Sequence, residues 1–190
     1  MTSTEVWSRT ARLFHWLIAA LILVQAGIGL TMVQLPRRPD IIWVYTLHKS
    51  IGITILLLAV LRLGFRLIQH RPTRLPIPGW QDGLARITHV ALYVLLFAMP
   101  VSGWIFDSYS SLRPLYWWWW LKLPSLTGGA DRHLADVFQL WHESLFWVLV
   151  AVTVLHVAGA LKHHFIDRDD TLRRMLPGAA NRLRQTRSKS

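Results

Sequence analysis

Apolar residues run almost without interruption through four stretches of the chain, at 13–33, 48–68, 84–106 and 141–161. Each is close to the ~20 residues an α-helix needs to cross a bilayer. In lipid the backbone must satisfy its own hydrogen bonds, so helices are expected in all four. The connections hold the breakers: Pro36 and Pro39, then Pro72, Pro76, Pro78 and Gly79, then Pro114, Pro124, Gly128 and Gly129. Pro100 falls inside the third stretch and predicts a kink. The pattern predicts an all-α integral membrane four-helix bundle. A single domain is expected over residues 1–177, followed by a basic tail at 178–190. The first stretch follows Arg9 and Arg12 as a signal sequence would. It is a full span long and lacks a convincing small-residue cleavage site, so it reads as a retained helix.

Composition agrees with the membrane class. The chain is 53% hydrophobic and 16% charged, where a soluble domain is nearer one quarter charged. The absence of cysteine excludes disulfides, thiolate metal sites, iron–sulfur clusters and thioether-linked haem. The net charge of +11 suggests nucleic acid at first sight. However, the basic residues flank the apolar stretches, so lipid is the expected partner and nucleic acid is not. Fifteen of the 21 Lys and Arg residues fall in the amino terminus, the second connection with its helix ends, and the tail from Lys162 onward. Six fall on the other side: Arg37, Arg38, Lys49, Arg113, Lys122 and Arg132. The positive-inside rule then puts both termini in the cytoplasm. The run Trp117 to Trp120 reads as an interfacial aromatic belt on the outer side, with covering of an outer cofactor as the alternative.

Four of the nine histidines form a pattern. His142 and His156 are 14 residues apart in the fourth stretch. On a helix that is about four turns less 40°, so they share a face, about 21 Å apart. His48 opens the second stretch on the outer side, and His15 opens the first on the inner side. Topology therefore pairs His48 with His142 and His15 with His156. Two pairs at two depths are what two stacked bis-histidine b-type haems require. The 14-residue step recurs from His15 to Gly29, from His89 to Gly103 and from His48 to Arg62. Gly29, Gly103 and Gly52 are expected to let helices approach a porphyrin. Arg62 is expected either to meet a haem propionate or to snorkel to headgroups. A single zinc site fits poorly, because the ligands lie at two depths. A proton relay lacks members, since Glu143 is the one acid within the four stretches. His89 reads as a core residue, with a quinone or propionate contact as the alternative.

These features resemble the bacterial cytochrome b561 family of the inner membrane. The resemblance rests on RLFHW at 12–16, LHKSIG at 47–52, ARITH at 85–89, Trp141-His142-Glu143, Leu155-His156, KHH at 162–164 and DTLRRMLP at 170–177. It covers nearly the whole chain and implies axial ligation by the same four histidines. It also implies electron transfer, with superoxide oxidation coupled to ubiquinone reduction as one known activity. Service as the cytochrome subunit of a dehydrogenase or hydrogenase, or beside a soluble cytochrome, is another. By resemblance His163 is a quinone contact, and Arg71 and Arg74 lie in the connection that would close that pocket. Arg37, Arg38 and Lys49, on the expected outer side, are candidates for attracting superoxide. A haem-free transporter or assembly protein remains as the alternative class.

Overall fold

The computed structural model describes residues 6–36, 38–69, 78–110 and 115–177. Four helices dominate: α1 (Arg9–Met32), α2 (Ile42–Ile68), α3 (Gly79–Ser110) and α4 (Arg132–Phe165). Each is long and apolar enough to cross a membrane. Helices of this length joined in sequence run alternately up and down. α1 packs on α2, α2 on α3, and α3 on α4. One end of the bundle, the terminal end, carries the start of α1 and the end of α4. The other, here the hairpin end, carries the end of α1 with the start of α2 and the end of α3 with the start of α4.

α1 and α4 start before their apolar stretches, and each carries a side-chain cap at its N-terminus. The Ser8 hydroxyl accepts from the Ala11 N–H at 3.1 Å, and the Asp131 carboxylate accepts from the Leu134 N–H at 3.0 Å. A 3-10 turn, Pro39–Ile41, leads into α2, with proline at its first position, where no N–H is needed. α4 thus begins nine residues before its apolar run, and His48 lies six residues inside α2 rather than at its start. α3 is continuous through Pro100. Large side chains such as Leu23, Val60, Val90 and Val154 are more than half exposed. Apolar surface on that scale, around four spans, faces lipid.

Two features depart from the expected all-α plan. The tryptophan run forms a short antiparallel hairpin, β1 (Tyr116–Trp117) with β2 (Leu121–Lys122). Trp118 and Trp119 at its tip have φ of 50° and 66°, a left-handed conformation costly for bulky residues. Contacts to α2 hold it there. The Trp118 N–H donates to Ser50 Oγ at 2.9 Å, and the indoles of Trp117 and Trp118 both donate to Thr54 Oγ1 at 3.1 Å. Ser50 is fully buried beneath it. The second departure is at the terminal end. There a 3-10 turn, Arg173–Met175, docks on α1. Buried Arg12 donates to the Leu176 carbonyl, and Trp16 to the Met175 carbonyl, each at 2.7 Å. The expected tail at 178–190 lies outside the described residues.

Candidate functional site

The histidines of the apolar stretches gather at two levels of the bundle. Near the hairpin end, the rings of His48 on α2 and His142 on α4 have centroids 6.2 Å apart. Near the terminal end, His15 on α1 and His156 on α4 are likewise 6.2 Å apart. His89 on α3 lies 5.3 Å from His156, so three imidazoles meet at that level.

A simple test asks whether these pairs fit an iron. A metal–imidazole bond is about 2 Å long. Two ring nitrogens on opposite sides of one metal are then about 4 Å apart. Each ring centre sits roughly 1.1 Å further back, so the centroids fall about 6.2 Å apart. Both expected pairs match this value. His89 and His156 are nearly 1 Å too close for it. The residues present therefore fit two bis-histidine haems.

The surroundings differ between the pairs. His142 Nδ1 lies 3.1 Å from the Met99 carbonyl and 3.0 Å from Ser102 Oγ. A carbonyl only accepts, so Nδ1 carries the proton and Nε2 keeps its lone pair for a metal. The Ser102 hydroxyl donates to the same carbonyl at 2.8 Å. His48 Nδ1 is buried and has no such partner. Its backbone carbonyl accepts from Gln25 Nε2 at 2.8 Å.

The glycines act on the imidazoles. A Cβ at Gly103 would stand 3.0 Å from His142 Cε1 and 3.2 Å from Nδ1. A Cβ at Gly29 would stand 3.3 Å from His48 Cε1. The 14-residue step thus marks glycines that seat the rings. At Gly52 the nearest protein group to the absent Cβ is Gln25 Nε2, at 3.4 Å. The tryptophan hairpin also stands elsewhere. Ser50 and Thr54 lie about 200° and 240° around α2 from His48, so the hairpin clothes the far side of that helix.

Arg62 reaches Tyr93 on α3, its Nε 3.2 Å from the phenol oxygen. Of the other candidates, Lys49 forms an ion pair with Asp107, and Arg38 pairs with Asp40 at 3.3 Å. These pairings locally cancel charge that the sequence offered to an anion. Arg37, Arg71 and Arg74 lie outside the described residues.

His163, two turns after His156 and on the same face of α4, is largely buried. Its Nδ1 lies 2.8 Å from Asp169 and 3.1 Å from Asp167, while Lys162 holds Asp167 at 2.6 Å. Burial pushes the Asp169 carboxyl up. Hydrogen bonds from Thr171 and His163 outweigh this and hold it below the usual carboxylate range. Sequence reasoning missed both aspartates, although the acid-x-acid pattern just past a helix end was visible.

An apolar four-helix bundle with opposed imidazole pairs at two depths has the form of a membrane cytochrome. Residues 6–178 match the family model described as prokaryotic cytochrome b561. A curated relative, cytochrome b561 homolog 2 of Escherichia coli (strain K12), is 38% identical over 169 residues, covering 86% of this chain and 87% of the relative. The probable superoxide oxidase CybB of Yersinia pestis is 31% identical over 164 residues, covering 86% and 91%. Cytochrome b562 of Cereibacter sphaeroides is 25% identical over 182 residues, covering 93% and 98%. The chain belongs to the prokaryotic cytochrome b561 family, whose members are b-type membrane electron-transfer proteins.

Proposed function

We propose that this chain is a di-haem cytochrome of the bacterial inner membrane that oxidises superoxide on the outer side and reduces ubiquinone on the inner side. The observation that carries the reading is the pair of equal imidazole separations, 6.2 Å at each level. His48 and His142 would hold one haem iron, and His15 and His156 the other. Bound haem supplies one-electron centres, and six-coordinate iron suits electron transfer rather than oxygen binding.

The chain's own residues set the conditions for that chemistry. Met99 and Ser102 orient His142 through Nδ1. Gly29 and Gly103 seat the outer rings. Two superoxide anions yield two dioxygen molecules and two electrons; ubiquinone takes up those electrons with two protons. His163, held by Asp169 at the terminal end, is our candidate for the quinone contact. The charge bias of the sequence supports cytoplasmic termini, so that protons would come from the cytoplasm. The name of the Yersinia relative supports superoxide as donor.

A second reading is a cytochrome fed by a partner protein. The ion pairing of Lys49 and Arg38 favours it, because these cations are less free to steer a small anion. A superoxide pulse onto the purified, oxidised protein distinguishes the readings. Fast haem reduction, passed on to added ubiquinone, supports superoxide oxidation. Haem bands that respond to dithionite but ignore superoxide overturn it in favour of the partner-fed cytochrome.

A further inference from the structure

At the level of the inner histidines two guanidinium groups converge on one phenol. Arg62 Nε lies 3.2 Å from the Tyr93 hydroxyl oxygen, and Arg66 Nη1 lies 3.4 Å from it. The two guanidinium carbons stand 5.9 and 5.1 Å from the same ring centre. Both arginines are partly buried within a membrane-spanning helix. Arg66 is 18 residues after His48, five full turns, so it shares that residue's face. Arg62 follows His48 by the same 14 residues that separate His142 from His156, which sets it level with His156. Arg62 lies within electrostatic reach of His15, His89 and His156, and Arg66 of His89.

Two like charges side by side in a low-dielectric interior repel strongly, and neither is stable there without an anion. Among the described residues no Asp or Glu pairs with either arginine. Four carboxylates are engaged elsewhere: Asp107 with Lys49, Asp82 with Arg86, Asp167 with Lys162 and Asp169 with His163. Tyr93 accepts from both guanidinium groups, which leaves its own proton to donate. The three groups together offer donors to one oxyanion from two helices.

We propose that Arg62, Arg66 and Tyr93 form a clamp for a carboxylate, and that its ligand is a propionate of the haem held by His15 and His156. This rests on the di-haem reading. A phosphate of an anionic lipid offers the same oxyanion chemistry, so the test separates the two sources.

The test uses the purified holoprotein and the variants Arg62→Gln, Arg66→Gln, Arg66→Lys and Tyr93→Phe. Haem propionates are carbon-13 labelled by feeding the expression host labelled 5-aminolevulinate. Redox titration and redox-difference infrared spectra are recorded on each. Removing a cation beside the haem disfavours the extra electron, so the potential of the inner haem falls in both Gln variants. The outer haem is unmoved, and Arg66→Lys restores most of the shift. The labelled carboxylate bands shift in the Gln variants and, by less, in Tyr93→Phe. Haem content stays at two per chain in at least the Tyr93→Phe and Arg66→Lys proteins, which keeps folding separate from clamping. Labelled bands and potentials that ignore every substitution, in a protein that still holds two haems, overturn the clamp and leave the di-haem reading standing. Phosphate bands that move while the carboxylate bands do not assign the site to lipid and overturn the propionate. A wild-type protein with no inner haem overturns both.

Discussion

Gly103→Ala is the sharpest small perturbation that the site offers. The added methyl would stand 3.0 Å from His142 Cε1 and 3.2 Å from Nδ1. Normal carbon–carbon contact is about 3.5–4.0 Å, so the overlap is about 0.5–1 Å. The ring cannot simply swing aside, because Nδ1 is held by Met99 and Ser102. Overpacking of this kind costs about 1–3 kcal/mol, which corresponds to roughly 5- to 150-fold in a binding equilibrium. A displacement of that size also reaches or exceeds the ~0.5 Å within which a site must be held. The expected result is weakened retention of the outer haem, with the inner haem intact. Gly29→Ala, with a 3.3 Å contact to His48, should do the same more mildly. Gly27→Ala is the control: nothing lies within 4 Å of its Cβ, and alanine is the better helix former by up to about 1 kcal/mol. Haem content per chain and reduced-minus-oxidised spectra of the three purified variants give the answer. Both haems retained with unaltered potentials in Gly103→Ala would refute the assignment of His142 as a ligand seated on that glycine.

Other outcomes follow from the same contacts. Ser50→Ala with Thr54→Val removes the acceptors of the Trp118 N–H and of two indoles, at about 1–3 kcal/mol for each group left unpaired. The hairpin should loosen, seen as a red-shifted tryptophan emission, while the haem spectra stay unchanged; the reverse pattern contradicts the hairpin's place on the far side of α2. Asp169→Asn removes the carboxylate that fixes His163 and should free residues 170–176 from α1, read as faster proteolysis there. The pH dependence has a definite sign. Asp169 is held below the ordinary value, so its stabilisation is complete above about pH 3.9 and is lost as pH falls through its own lower value. Docking of residues 170–176 that weakens instead between pH 6 and 8 contradicts this assignment. The imidazole planes within the two pairs lie at 74° and 80°. Strongly anisotropic low-spin ferric EPR signals are therefore expected from both haems, and rhombic signals typical of parallel rings contradict the geometry.

Much of this arrangement was legible in the sequence, and the gaps have physical causes. The four spans follow from bilayer thickness, and the 14-residue step is a property of one helix, so His142 and His156 could be placed without a structure. Their partners followed from topology. Helix extents were less visible, because Asp131 and Pro39 start helical segments several residues before the apolar runs begin. Gly29 and Gly103 fall at the recurring 14-residue period, and a Cβ at either would meet the imidazole of His48 or His142. Gly52 has Gln25 on α1 as its nearest neighbour, a contact that no local pattern announces. The hairpin carries no Asn-Gly or Asp-Gly turn signal. Its strained tip is fixed by Ser50 and Thr54, more than 60 residues earlier. The Lys49–Asp107 pair joins two helices in the same way, and no local pattern announces it. Arg66 was within reach of sequence reasoning, being five full turns after His48, but nothing local links it to Tyr93.

The most direct test of the account is the ratio of haem b to protein in the purified, detergent-solubilised chain, measured as pyridine haemochrome against quantitative amino-acid analysis. Two haems per chain are predicted, falling to one in His142→Ala through loss of the outer haem. A ratio of one in the wild type, or a ratio of two that survives His142→Ala, contradicts the pairing on which the rest depends.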